Sequence, residues 1–233
     1  RRQSAVEQSI EIVRRRVDET GVAEPVIQQQ GDSRILVQLP GIKDPERIKR
    51  LLGQTAKLNF HMLDETVSIQ EAESGTLPAG SMLLYGPEEE GRIPYVVRRT
   101  VEVGGDRLVD AQPTFQDGQP IVSFRFDAAG GRRFGELTSQ NVGRRLAIVL
   151  DREVVSAPRI QTAINGGSGI ITGRFTPQEV TELSILLRAG ALPAPLTVLE
   201  ERTVGPGLGA DSIEAGKIAS IIGLVAVVVF IVV

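Results

Sequence analysis

After Lys217 the chain runs from Ile218 to Val233 without a charge. A helix on a soluble core carries an apolar stripe with polar residues opposite, whereas this run is apolar all round. A membrane span needs roughly 20 such residues, about 30 Å at 1.5 Å per residue. The run falls short of that only where the chain ends, and position 1 is not Met. The expectation is a globular region leading into a truncated membrane helix over residues 214–233. A buried helix hairpin of a soluble protein fits less well, because continuous Val, Ile and Leu suit lipid better than a core. The position at the C-terminal end excludes a signal peptide.

Composition narrows what the rest can do. The 233 residues suffice for one large or two small domains. The net charge is −3, and the Arg pairs are short and interleaved with acids, so no nucleic-acid footprint is expected. Cysteine is absent, which removes disulfides, thiolate nucleophiles and Cys-based metal sites. With His61 as the one histidine, most hydrolytic triads and His-rich metal sites are not expected within the chain. The chain is therefore expected to be no enzyme and to have no catalytic residue, cofactor or metal.

Residues 3–20 read as an amphipathic helix, with Val6, Ile10, Val13 and Val17 on one face and Gly21 as its stop. Two strands, 25–30 and 34–39, flank the turn Gly31-Asp32-Ser33. Asp44-Pro45 opens a helix with Asp as cap and Pro at its first position. Residues 57–63 alternate as a strand whose polar side carries His61, expected at a surface or edge. Residues 64–93 read as loops around one short strand, 82–85. Strands at 95–103 and 107–115 flank Gly104-Gly105-Asp106, a hairpin signal, and a strand at 121–126 follows Asp117-Gly118. Asp127 caps a helix to about Gln140, and a strand pair turns at Asp151-Arg152. Thr176-Pro177-Gln178-Glu179 is a capping box opening a helix with Val180, Leu183, Leu186 and Leu187 inward. A last strand is expected at 196–204.

Asp44-Pro45 to Gly53 and Thr176-Pro177 to Gly190 are two similar helices, each followed by a strand pattern, on either side of a strand-rich insert. Helices packed on one face of an antiparallel sheet in two such halves make the ferredoxin-like pattern. The expected fold is α+β: a ferredoxin-like base of residues 1–65 and 172–204, an inserted strand-rich head of residues 66–171, a connector at 205–213 and the membrane helix. Gly205-Pro206-Gly207-Leu208-Gly209 lacks both the Walker A and the dinucleotide glycine spacing and reads as that connector. Gly130-Gly131 and Gly166-Gly167 read as turn or close-packing glycines.

Several blocks are also recognisable. They are Val17-Asp18-Glu19-Thr20-Gly21-Val22-Ala23-Glu24-Pro25, Gln28 to Gly31, Val37-Gln38-Leu39-Pro40-Gly41-Ile42, and Leu146-Ala147-Ile148-Val149-Leu150-Asp151 with Val155-Ser156-Ala157-Pro158. Leu186-Leu187-Arg188-Ala189-Gly190-Ala191-Leu192-Pro193-Ala194-Pro195-Leu196 and Glu200-Glu201-Arg202-Thr203-Val204-Gly205-Pro206-Gly207-Leu208-Gly209-Ala210-Asp211-Ser212-Ile213 complete the set. In this order they resemble the first periplasmic region of the SecD family of protein-export subunits; residues 65–92 carry none of its motifs. The resemblance implies an RND-superfamily membrane machine in the bacterial plasma (inner) membrane, this region mostly periplasmic. It implies the partners SecF, the SecYEG channel and YajC, and unfolded preprotein as substrate. Proton-motive force would drive it, through an aspartate in a later membrane helix rather than through Asp211. A movable head would then pivot at crossings near Asp64, Glu65 and Thr66 and near Gly173, Arg174 and Thr176. Phe115, Val122 and Phe134 are the head residues expected to contact substrate. A small-molecule or lipid exporter porter domain of the RND type is the alternative, and predicts a preformed apolar pocket rather than an open groove.

Overall fold

The computed structural model describes residues 2–87 and 91–202, together with Lys217 and Ser220. The chain divides into two units, Arg1–Thr197 and Val198–Val233. Most of the second unit, including the expected connector and membrane helix, lies outside the described residues. Among the described residues no helix is long and apolar enough to cross a membrane.

The first unit is α+β, with helices packed against separate sheets. Helix α1 (Arg2–Glu19) buries Ile12, Val13 and Val17 together with Ser9 and Arg16, and exposes the Glu11–Arg15 pair at 3.4 Å. Gly21 follows at φ 74°, a left-handed stop that suits glycine. Strands β1 (Val26–Gln30) and β2 (Arg34–Gln38) form a two-stranded hairpin that packs on α1 through Ile27, Ile35 and Val37. Helix α2 (Pro45–Gly53) begins where the Asp44 side chain accepts a hydrogen bond from Arg47 N–H.

Strand β3 (Leu58–Met62) enters a six-stranded sheet completed by β4 (Ser81–Tyr85), β5 (Pro94–Arg98), β6 (Val103–Gly104), β9 (Leu146–Leu150) and β10 (Glu153–Ser156). The spatial order is β5-β4-β10-β9-β3-β6, and only β4 and β10 run parallel. This placement corrects the reading of His61. β3 is paired on both sides and covered on both faces, so its polar residues are not at a surface; His61 is 3% exposed, with Nδ1 2.8 Å from Arg98 O. The same double covering explains the unbroken apolar run of β9. Leu146 and Ile148 enter one core, Ala147 and Val149 the other.

Four further expectations are corrected. Gly104-Gly105-Asp106 is no hairpin turn but leads into a 3-10 turn, Gly105–Arg107. A Cβ at Gly105 would meet Leu58 Cβ at 2.8 Å, so glycine serves a close approach to β3. The apparent strand over 95–103 is two, β5 and β6, on opposite edges of the sheet. Residues 196–202 form no strand; Val198 and Leu199 are exposed there, and a strand needs a ladder partner to satisfy its backbone. A short helix, α3 (Ile69–Glu73), capped reciprocally by Ser68 and Glu71, occupies the region read as loops.

A three-stranded antiparallel sheet, β11-β8-β7, comprises β7 (Leu108–Gln116), β8 (Gln119–Phe126) and β11 (Ser168–Ile171). β7 and β8 join through Asp117 at φ 52° and Gly118 at φ 78°, a pair of left-handed residues matched to strand twist. Helix α4 (Ala128–Gln140) begins where the Asp127 carboxylate accepts from Gly130 N–H. Helix α5 (Pro177–Ala189) carries the expected capping box of Thr176 and Glu179. The main core gathers Phe60 and Met62 of β3, Val122, Phe124 and Phe126 of β8, Phe134 and Leu137 of α4, and Val180, Leu183 and Leu187 of α5.

Candidate polypeptide-binding groove

The alternation of β8 sends Val122, Phe124 and Phe126 to one face, where Phe60 and Phe134 meet them. The rings of Phe60, Phe124, Phe126 and Phe134 contact one another with centroids 5.2–6.1 Å apart, mostly edge to face. The four rings are buried, between 0% and 4% exposed, so they can form only the base of a groove. A groove of about 340 Å³ opens onto Phe60, Phe124 and Phe134, bounded by residues 158–162 and by Gly169, Ile170 and Thr172 along β11.

Each wall has a local cause. Thr138 of α4 is fully buried; its Oγ1 donates to Phe134 O at 2.8 Å and accepts from Ile164 N–H at 2.9 Å, which fastens the 158–167 segment to the helix. Below that bond, Gly131 and Gly167 meet backbone to backbone: a Cβ on Gly131 would lie 3.2 Å from Gly167 Cα. Gly130, Gly131 and Gly167 are thus close-packing positions, whereas a Cβ on Gly166 would meet open space. The groove's depth depends on Gly169. A Cβ there would strike the Phe124 ring at 2.5 Å, so only glycine leaves that ring facing the opening.

Among the described residues no strand pairs with the outer edge of β11. The two-residue hairpin makes Gln116 and Gln119 a hydrogen-bonded pair, so on β8 the groups of Val122, Phe124 and Phe126 turn toward β11. Phe126 N–H accordingly donates to Gly167 O at 2.8 Å. Gly169 and Ile171 therefore bond to β8, while Ile170 turns its N–H and C=O outward; it is 42% exposed. The sheet's other edge is blunted. Ala111 O accepts from Arg188 Nη1 at 2.6 Å, and Pro113 has no N–H to offer. In the six-stranded sheet the β5 edge is covered, because Asp64 N–H donates to Val96 O and Leu63 bridges Val97. Among the described residues the groove wall carries one charge, Arg159, whose Nη1 donates to Gly143 O. An extended segment laid there could pair its backbone with Ile170 and lower alternate apolar side chains onto the rings.

The expected contact residues separate. Val122 is 0% and Phe134 2% exposed, so they form the core and groove floor rather than a free surface. Phe115, near the β7–β8 turn, is 64% exposed and outside the groove. Ile170, Gly169 and Thr138 were not singled out from sequence; the Gly-Gly doublets and the phenylalanine parity on β8 were the available signals. Of the hinge candidates, Asp64 is held by Ser81 and Thr66 Oγ1, each at 2.5 Å, whereas Glu65 is exposed. Gly173 packs against the Phe175 ring, Arg174 is exposed, and Thr176 accepts from Glu179 N–H. Strand β3 and helix α5, on the base side of the expected boundaries, share one core with β8 and α4.

Family comparisons agree with this architecture. A model of the SecDF P1 head subdomain matches residues 81–194, and one of the N-terminal P1 domain of protein translocase subunit SecDF matches residues 6–65. A solved structure of SecDF, described as a membrane component that enhances protein export, is 34% identical with a TM-score of 0.69, covering 87% of this chain and 94% of that one. The chain belongs to the SecD family. SecD from Rickettsia felis is 55% identical over 229 residues, which are 97% of this chain and 44% of that protein. SecD from Magnetococcus marinus is 50% identical over 238 residues, 99% of this chain and 45% of that protein. SecDF in its super-membrane-facing form has a TM-score of 0.71 at 37% identity, over 96% of this chain and 31% of that one. The chain thus spans less than half the length of these SecD relatives.

Proposed function

We propose that this chain is part of an accessory subunit of the Sec translocon whose head holds emerging, unfolded preprotein in the groove beside β11. Head movement coupled to the proton-motive force then promotes export across the bacterial plasma membrane, with the region on the periplasmic side. SecF, the SecYEG channel and YajC are the partners that membership in the SecD family brings to this reading. The observation that carries the binding role is an apolar groove running beside the open edge of a strand. It offers backbone pairing without side-chain selectivity, which suits a site that must accept many sequences. Its open form favours a polypeptide over the small solute of an exporter pocket.

The division expected from sequence, residues 66–171 carried on 1–65 and 172–204, is proposed here as a head on a base. The packing of β3 and α5 with β8 and α4 supports proposing the joints at 54–57 and 190–192 in place of those expected near 64–66 and 173–176.

A photocrosslinker at Ile170, Thr162 or Phe115, offered an unfolded export precursor, tests the site. Crosslinks are expected at Ile170 and Thr162, and Gly169→Val, which fills the floor, is expected to abolish them. Crosslinks at Phe115 alone would move binding to the hairpin tip and overturn the groove.

A further inference from the structure

Two crossings join the layer of α1, α2 and the β1–β2 hairpin to the main core: residues 54–57 after α2 and residues 190–192 after α5. They touch each other, since Leu192 N–H donates to Thr55 O at 2.8 Å. Arg16 lies where they meet. Its side chain is fully buried, with Nη1 donating to Leu51 O at 2.8 Å and to Leu52 O and Gln54 O. Its Nη2 donates to Thr55 O at 3.3 Å and Gly190 O at 3.2 Å. Among the described residues no carboxylate pairs with this guanidinium at ion-pair distance, and Nε has no partner. The charge is met instead by the negative C-terminal ends of two helices, α2 and α5. Burial pushes its pKa down to about 10, with Asp151 opposing the shift.

The opposite side of the first crossing is held as well. Asp151, in the β9–β10 turn, accepts Ala56 N–H at 2.8 Å and Lys57 N–H at 2.9 Å, and its own N–H donates to Lys57 O at 3.1 Å. Between the two clamps Ala56 sits at φ 57°, a left-handed conformation that a residue with a Cβ keeps only where its surroundings enforce it. Leu51 and Ala56 pack there against Ile185, Leu186 and Leu150.

We infer that residues 54–57 are the pivot between base and head, and that Arg16 and Asp151 form a two-sided latch that sets its angle. The guanidinium grips the carbonyls of the segment from the base, and the carboxylate grips its amides from the head. Neither contact is part of the groove, so the latch positions the head without touching substrate. The inference rests on the proposed reading that the head moves on a base.

The chain has no cysteine, so spin labels on Arg34→Cys and Gln116→Cys in the full chain report one distance from base to head. A second pair, Gln116→Cys with Gln140→Cys, reports the head alone. One narrow distribution is expected for the first pair in the otherwise unchanged protein. Asp151→Gly tolerates the left-handed φ of 48° at that position but removes the carboxylate. Arg16→Lys keeps the charge but loses the planar fork. Each variant is expected to broaden and shift the 34–116 distribution and to leave the 116–140 distribution as it was. An unchanged 34–116 distribution in both variants overturns the latch. A change in the 116–140 pair overturns it too, because the lesion then lies in the head's own fold. Loss of polypeptide binding is read separately, by the crosslink at Ile170.

Discussion

The Asp64 carboxylate accepts hydrogen bonds from Ser81 Oγ, Thr66 Oγ1 and Thr66 N–H. The Ser81 bond is the largest cause holding its pKa below the usual 3.8, followed by Thr66. A carboxyl whose pKa is lowered on folding contributes stability that is fully present above its unfolded value and is lost as pH falls through the folded one. Urea midpoints of the parent protein should therefore drop more steeply below pH 3.8 than those of Asp64→Asn, which should start lower at neutral pH. Parallel acid profiles would show that the Asp64 bonds stabilise nothing. Sequence marks Asp64 only as a loop start after a strand. Its partner Ser81 is 17 residues away on β4, and nothing in the intervening spacing announces the bond.

At the scale of elements, the caps and hairpins are legible because each is written in a few adjacent residues. Asp44, Asp127 and Thr176 cap their helices as their side-chain chemistry dictates, and Asp117-Gly118 and Asp151 with Arg152 take the left-handed turns. The groove wall is different, because residues 158–167 have no regular structure beyond short bridges and depend on α4. Thr138→Val keeps the side-chain shape and deletes the oxygen, leaving Ile164 N–H without its acceptor. Losing a buried partner in this way costs about 1–3 kcal/mol. The expected result is a lower urea midpoint and faster hydrogen exchange at the Ile164 amide. Unaltered exchange there would show that the wall is held by other contacts.

For the whole described unit, α5 is the shared member. Val180, Leu183 and Leu187 enter the aromatic core, Ile185 and Leu186 the cluster beside Ala56, and Ala189 the layer on α1. Arg188 adds a bidentate pair to Glu19 of α1 while it caps Ala111 O of β7. A helix that serves every one of these clusters couples their unfolding. Leu187→Ala should cost about 2–5 kcal/mol. Probes placed on β2 and on β8 should nevertheless report a single coincident transition in both the parent protein and the variant. Separate transitions would mean that base and head fold independently and that α5 is not the coupling element.

What the sequence by itself determined was the local and periodic part: the stripe of α1, the parity of β8, the helix caps, the hairpin turns and the α+β class. These depend on residues a few positions apart, and hydrophobic period and turn chemistry act at that range. Tertiary structure decided the rest. His61 is buried because β3 became an interior strand, a fact of pairing rather than of alternation. Val122 and Phe134 became core because a second sheet closed over them, and the groove opened where Gly169 has no side chain to fill it. Arg16, one arginine among several on a charged helix, gained its place only because two distant helix ends converge on it. Such convergence joins residues as far as 174 positions apart, and no local pattern encodes it.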